Sequence, residues 1–300
     1  MFTGCGTALV TPFRADQSLD EATLRKLVRR QIAEGINVLV PCGTTGEHPT
    51  LTHAEHLRVC EITLEEAKGK VSVLAGAGGY NTIEVVALAK ELKELGVDGI
   101  LSVTPYYSKP TQEGLYQHYK AIATSVDIPF VVYSVAGRTA VNVEPATLKR
   151  LAEFDNIVGV KEASGNVSQM AAVMQMVPER FAVLSGDDIL TISLAALGGR
   201  GVISVLANEL PGEMTRLTQA ALKGDFATAR ALQRQWFDLM QINFIETNPG
   251  PVKAAMGMMG LLDPVFRLPM VPPSEASLAK IETILRAGGL LAGSRSMHAD

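Results

Sequence analysis

The residues whose side chains are best suited to catalysis follow short apolar runs that are rich in Val, Ile and Leu. Lys161 closes one such run, 157–160, so its aliphatic stem rises from apolar surroundings. Desolvation disfavours the ammonium form of a lysine, and a neutral amine attacks a ketone to give an imine. The pattern predicts Schiff-base chemistry at Lys161. The alternative is a strand-end lysine that reaches to solvent.

Two further side chains extend this chemistry. Tyr133 ends the preceding apolar run, where a phenol can reach a substrate carbonyl and act as general acid and base, with Thr44 as a hydroxyl relay. Arg138 is a fixed cation that can hold a carboxylate through two hydrogen bonds. The alternatives are a rim aromatic in contact with water for Tyr133 and a surface salt bridge for Arg138.

Three histidines, His48, His53 and His56, lie near Glu47 and Glu55 and raise the alternative of a metal-dependent aldolase. His53 and His56 are three residues apart at a predicted helix start, so they share a face, which we expect to point away from the barrel. We interpret them as solvated or allosteric residues. The lysine route explains the same chemistry without a metal, and we expect no cofactor.

The elements that must position these residues alternate regularly. Eight apolar runs lack the polar–apolar alternation of half-exposed strands and predict strands buried on both faces. A capping box of Thr52 and Glu55 starts one intervening helix, and Gly96 ends the next. This predicts an α/β fold, a closed (β/α)8 TIM barrel with its active site at the carboxyl ends of the strands. The predicted strands are 5–11, 37–42, 71–76, 99–104, 128–134, 156–161, 181–186 and 200–205.

From about residue 211 the strand signal disappears. Helices are predicted at 213–222, 225–241, 250–259 and 275–288. We therefore predict a barrel carrying the active site at 1–210, a small helical C-terminal region packed on it at 211–292, and a flexible tail at 293–300.

Composition excludes several classes of function. The net charge is −4 and no basic block occurs, which argues against binding to nucleic acid or to an anionic membrane. No apolar run approaches the ~20 residues that span a bilayer, and no signal-peptide pattern opens the chain. Three widely spaced cysteines fit reduced thiols better than disulfides, so we expect a cytoplasmic protein.

Six segments in this order resemble the dihydrodipicolinate synthase family, and the resemblance spans Phe2 to Leu291. The activity it implies is condensation of pyruvate with L-aspartate 4-semialdehyde, in lysine and diaminopimelate biosynthesis. A homotetramer built from two tight dimers is also implied. The matching segments are 43–47, 103–107, 159–163, 184–188, 201–205 and 248–253.

The resemblance also implies residue roles. Lys161 would be the Schiff-base lysine. The proton relay would comprise Tyr133, Thr44 and, from the neighbouring subunit, Tyr107. The residues expected to bind substrate are Arg138 for aspartate semialdehyde, Thr45 for the pyruvate carboxylate, and Gly186 and the Ile203 carbonyl in the pocket wall.

A lysine feedback site is implied at the tight-dimer interface. Tyr80 stands where asparagine is common, and His48 and Pro49 replace smaller residues, so we expect a weakened site. The positions that match this site are His53, His56, Glu84 and Tyr106.

Two other functions stay open on the sequence. The wider superfamily includes N-acetylneuraminate lyase and 2-keto-3-deoxy acid aldolases, which share the lysine but use another aldehyde. Ser134 and Ala136 stand where the family usually has Asn and Pro, which frees the loop carrying Arg138 and bears on the second substrate. A catalytically silent barrel acting as a ligand sensor is the third reading.

Overall fold

Eight parallel strands form a closed barrel in the computed structural model, which describes residues 2–291. Each strand pairs with the next in sequence, and β1 pairs with β8, so the predicted (β/α)8 fold is confirmed. The predicted tail at 293–300 lies outside the described residues. The strands are β1 Gly4–Ala8, β2 Val38–Val40, β3 Ser72–Gly76, β4 Gly99–Val103, β5 Phe130–Ser134, β6 Ile157–Glu162, β7 Ala182–Ser185 and β8 Gly201–Ser204.

Helices surround the barrel and continue beyond its last strand. The buried face of the first helix consists of Leu24, Leu27, Val28 and Gln31, which recur at helical spacing. Within residues 2–291, no helix is long and apolar enough to cross a membrane. The helices are α1 Glu21–Ala33, α2 His53–Ala67, α3 Thr82–Leu95, α4 Gln112–Ser125, α5 Ala136–Thr139, α6 Pro145–Leu151, α7 Val167–Met176, α8 Thr191–Ala196, α9 Pro211–Leu222, α10 Phe226–Ile242, α11 Gly250–Met258 and α12 Glu275–Ala287.

Two apolar layers hold the barrel together. Side chains that point inward fill its interior, while those that point outward pack under the helices. Both faces of each strand are therefore buried, which explains why the strands are continuous apolar runs. The interior cluster includes Ala8, Val40, Leu74, Leu101, Val131, Tyr133, Leu184 and Ile203.

Strand and helix ends follow local chemistry. Strand β2 stops before its predicted end because Pro41 has no N–H to donate and Cys42 adopts a left-handed backbone with φ of 56°. The predicted capping box of Thr52 and Glu55 is present at α2. Gly96 ends α3 with φ of 95°, as predicted from its position.

The C-terminal helices bring distant chain to the mouth of the barrel. α9 packs on β1, and α11 contacts α12. From α11, Lys253 donates to Glu47 Oε1 at 2.5 Å and to the carbonyl of Thr11 at 3.1 Å. The loop after β2 is thus fixed to a helix that begins more than two hundred residues later. The division into regions at residue 210 stays a prediction.

Candidate active site

A pocket of about 160 Å³ opens at the carboxyl ends of the strands, where a barrel of this type places its active site. The residues that line it come from the strands, from the loops after β2, β5, β6, β7 and β8, and from the segment before α11. Six of the predicted catalytic and substrate-binding residues are among them: Thr44, Thr45, Tyr133, Arg138, Lys161 and Gly186.

Lys161 and Tyr133 lie side by side in this pocket. They are register partners in the β5–β6 ladder, so their side chains leave the sheet on the same side. Lys161 Nζ lies 4.2 Å from the centre of the Tyr133 ring, and the lysine is 6% exposed. Among the described residues no carboxylate forms an ion pair with Lys161. Its amine therefore faces the cavity as a nucleophile without a competing charged partner.

Glu162 follows Lys161 but points to the other side of the strand. Its carboxylate accepts a hydrogen bond from Gln169 Nε2 at 2.9 Å, and burial raises the pKa of the carboxyl. Glu162 does not line the pocket. The alternation of a strand thus keeps the neighbouring acid away from the lysine.

The loop after β2 supplies the two threonines. Thr45 is 3% exposed, and its Oγ1 accepts a hydrogen bond from Asn248 Nδ2 at 3.0 Å. Glu47, with φ of 53°, turns the chain back so that its carboxylate meets Lys253. Thr44 lies on the same wall as Tyr133 and is open to the cavity. The loop is therefore anchored at Glu47, and both threonines line the cavity that contains Lys161.

Arg138 lies on α5, the short helix that follows β5. Its Nη2 donates to the backbone carbonyl of Asn248 at 3.2 Å. Thr104 donates to Thr139 across 3.0 Å and ties this helix to the end of β4. At the family's usual Asn position, the Ser134 hydroxyl accepts from Val143 N–H at 3.1 Å. The loop carrying Arg138, which the loss of the family's usual proline was expected to free, is instead a helical turn held by several hydrogen bonds.

Gly186 and Ile203 have different relations to the pocket. A Cβ at Gly186 would lie 3.1 Å from Lys161 Cε and closer still to Ala163, so only glycine leaves room for the lysine stem. Ile203 is 1% exposed and belongs to the barrel interior beneath the pocket. Val205, two residues further, is the one that lines the cavity.

Tyr107 lies outside the pocket of its own chain. It is 93% exposed and has φ of 65°. Its neighbour Tyr106 is half-buried, packs edge-on against the Tyr80 ring at 5.3 Å, and has its phenol pKa raised by burial. The structure therefore does not bring Tyr107 together with Lys161 within one chain.

The residues predicted for a feedback site do converge. A separate cavity of about 540 Å³ lies between the loop after β2 and α3. All seven predicted positions line it: His48, Pro49, His53, His56, Tyr80, Glu84 and Tyr106.

The expectation that His53 and His56 both point outward is wrong for one of them. His53 is exposed and lies 2.7 Å from Glu91. His56 is 4% exposed, and its Nε2 bonds to the carbonyl of Gly76 at 2.9 Å. Three residues along a helix leave about 60° between two side chains. That angle is enough for one ring to reach solvent while the other packs on β3.

A third cavity, of about 220 Å³, lies between the other two. It shares Thr44 and Arg138 with the 160 Å³ pocket around Lys161, which we call the lysine pocket. It shares His48 and Tyr106 with the 540 Å³ cavity, which we call the outer cavity. Burial lowers the pKa of His48 to about 4, so this shared wall carries a neutral imidazole at neutral pH. The three cavities therefore form a row with common walls.

Asn248 and Lys253 were not identified as site residues from sequence. Asn248 joins Thr45 to Arg138, while Lys253 fixes the loop through Glu47. The only signal was the Asn-Pro-Gly-Pro-Val-Lys segment as part of the resemblance. Asn248 and Thr45 are 203 residues apart, and no local periodicity reports such a contact.

A (β/α)8 barrel with a lysine and a tyrosine at the centre of its carboxyl face defines the class of Schiff-base-forming lyases and aldolases. The sequence profile of the dihydrodipicolinate synthetase family matches residues 1–288. The chain belongs to this family.

Individual relatives are similar over nearly the full length of the chain. The 4-hydroxy-tetrahydrodipicolinate synthase of Koribacter versatilis is 54% identical over 289 residues, which is 96% of each chain. The Acinetobacter baumannii dihydrodipicolinate synthase, solved in complex with pyruvate, is 42% identical with a TM-score of 0.95, over 97% of this chain and 100% of that one. The Cyanidioschyzon merolae enzyme, solved with lysine bound, is 36% identical with a TM-score of 0.93, over 97% and 99%.

Proposed function

We propose that this chain condenses pyruvate with L-aspartate 4-semialdehyde to 4-hydroxy-tetrahydrodipicolinate, in the route to diaminopimelate and lysine. The observation that carries the proposal is Lys161, an amine that has no ion-pair partner within residues 2–291 and stands beside the Tyr133 ring in a 160 Å³ pocket. Relatives that bear the name of this activity match 96% and 97% of the chain. A pocket of this size suits a three-carbon keto acid.

The pocket supplies the groups for each step. Lys161 attacks the ketone carbon of pyruvate and water leaves, which gives the imine. Tyr133, with Thr44, moves protons to and from the reacting atoms as the imine becomes an enamine. The enamine carbon then attacks the aldehyde of the second substrate. The amine of that substrate displaces Lys161, closes the ring and frees the lysine for the next turnover.

Two groups hold the carboxylates. Thr45 offers its hydroxyl and the loop N–H groups to pyruvate, and Asn248 fixes that hydroxyl from the other side. Arg138 has a planar guanidinium that matches the carboxylate of the semialdehyde. Its contact with the Asn248 carbonyl orients the side chain over the pocket.

The test is a coupled assay with both substrates, following NADPH oxidation by the next reductase, together with borohydride trapping of pyruvate. Wild-type protein should turn over and should gain one trapped adduct by mass. Lys161→Ala should lose both, since no amine remains at the centre of the pocket. A trapped adduct without turnover would move the function to another pyruvate-dependent aldolase. Absence of the adduct in the wild type would overturn the proposal.

We further propose that the 540 Å³ cavity binds lysine as a feedback ligand. Glu84 can pair with an amino group there, and the aromatic rings of Tyr80 and Tyr106 can cover the aliphatic stem. Calorimetry with millimolar lysine tests this. Heat of binding that is lost in Glu84→Ala supports the site, and no heat in the wild type contradicts it.

We propose a homotetramer, built as a dimer of tight dimers, in the cytoplasm. Large apolar side chains stand exposed near the outer cavity, which supports an interface there: Tyr80 at 61%, Ile83 at 80% and Tyr107 at 93%. The three cysteines are free and buried, as in a reducing compartment. Sedimentation at micromolar concentration measures the assembly, and a monomer would contradict it.

A further inference from the structure

Two cysteines and a histidine meet behind the loop that carries Thr44. Cys42 Sγ and Cys60 Sγ lie 3.8 Å apart, and the ligand atoms of Cys42, Cys60 and His56 all lie within 4.8 Å of one another. The three residues are between 0% and 4% exposed. Cys42 comes from the turn after β2. His56 and Cys60 are four residues apart on α2, so they share one face of that helix.

The distance between the two sulfurs matches that of a metal site. Thiolate sulfurs bind Zn²⁺ at about 2.3 Å, and a tetrahedral angle then places two of them about 3.8 Å apart. The Nε2 of His56 is bonded to the carbonyl of Gly76 at 2.9 Å, which leaves Nδ1 for an ion. A backbone carbonyl that holds the second ring nitrogen is the usual partner of a metal-bound histidine.

The charge of the cluster and its position beside a cavity also favour a thiophilic divalent cation. Two thiolates neutralise a divalent cation, so the buried cluster would gain no net charge on binding. His56 also lines the 540 Å³ cavity, so one of the three ligand residues borders a space that opens to solvent. Soft sulfur and imidazole donors select thiophilic d10 ions over Mg²⁺ or Ca²⁺.

We propose that Cys42, Cys60 and His56 bind one thiophilic cation of the Zn²⁺ type. This site is separate from the lysine pocket, and the Schiff-base reaction does not require it. A bound ion would join the base of the 43–47 loop to α2, and so would act on the position of Thr44 and Thr45.

The test uses full-length protein that has been reduced and stripped with a chelator. Co²⁺ serves as the spectroscopic probe, since thiolate ligands give a charge-transfer absorption, and Zn²⁺ affinity is measured in competition with a chromophoric chelator. We expect one equivalent per chain. Cys60→Ser and Cys42→Ser should each weaken binding at least about tenfold. Cys5→Ser, at a buried cysteine outside the cluster, is the matched control and should bind like the wild type.

A second measurement keeps the proposal testable if a cysteine variant does not fold. In the wild type, Zn²⁺ should slow alkylation of Cys42 and Cys60 at least about tenfold relative to Cys5, as followed by peptide mass. No charge-transfer band in the wild type would overturn the proposal. So would a band that persists in both cysteine variants, or equal protection of all three thiols.

Discussion

At the scale of single residues, some side chains of the pocket are expected to act in the reaction and others in substrate binding. The Tyr133 ring lies beside the Lys161 amine, with 4.2 Å between Nζ and the ring centre. Tyr133→Phe keeps the ring and removes the hydroxyl, so we predict a loss of about 10² or more in kcat with a small change in the KM of pyruvate. Steady-state kinetics measure both. A KM effect that exceeds the kcat effect would place the phenol in binding instead.

Asn248 should behave in the opposite way. Its side-chain amide donates to the Thr45 hydroxyl at 3.0 Å, and its backbone carbonyl accepts from Arg138. Asn248→Ala removes only the side-chain contact, so we predict a rise of about tenfold in the KM of pyruvate and a smaller change in kcat. Thr45→Val is the partner variant. If the two act through one hydrogen bond, the double variant will be little worse than either single one.

Between elements, the Lys253–Glu47 pair couples α11 to the loop after β2. Both side chains are buried, with exposures of 0% and 1%. Lys253→Met leaves an unpaired carboxylate inside the protein, so we predict a loss of about 3–5 kcal/mol in the free energy of unfolding. Urea denaturation measures it. Adding Glu47→Gln removes that charge and should recover part of the loss, whereas a further loss would show that the Glu47 carboxylate still stabilises the variant.

The elements themselves were largely predictable from sequence. Buried parallel strands are apolar on both faces, and caps such as Thr52 announce helix starts, so the alternation could be read locally. Lys161 was predicted because it closes an apolar run, where desolvation favours the neutral amine. The burial of His56 and the role of Asn248 were not found. Both depend on contacts across the fold that no neighbouring residue reveals.

Over the whole molecule, stability should depend on pH through Glu209. This side chain is fully buried, and burial, with the nearby Asp188 carboxyl, raises its pKa from 4.5 to about 8. The folded state therefore holds a proton that the unfolded chain releases above about pH 4.5. Its contribution to stability is complete below that pH and is lost as pH rises through 8.

The corresponding experiment compares free energies of unfolding between about pH 6 and about pH 9. The wild type should lose stability across this range. Glu209→Gln cannot ionise and should show a flatter dependence. Equal slopes in the two proteins would contradict the assignment.

The exposed position of Tyr107 has a consequence for the assembly. If Tyr107 serves the neighbouring subunit, a Lys161→Ala chain supplies an intact tyrosine to a Tyr107→Phe chain. Mixing the two inactive variants should then restore up to about a quarter of the wild-type sites, since half of random dimers are mixed and each has one complete site. The coupled assay measures this. No recovery in mixtures shown to exchange subunits would contradict a shared site.

The row of three cavities with common walls also constrains regulation in energetic terms. Thr44 and Arg138 border one end of the middle space, and His48 and Tyr106 border the other. A ligand in the outer cavity that shifts these walls changes the affinity of the Lys161 pocket for pyruvate. Thermodynamic linkage then requires pyruvate to change the affinity of the outer cavity for that ligand by the same factor. An inhibitor that acts from the 540 Å³ cavity by weakening pyruvate binding must therefore itself bind more weakly as pyruvate accumulates, so the concentration at which it inhibits depends on the supply of the keto acid.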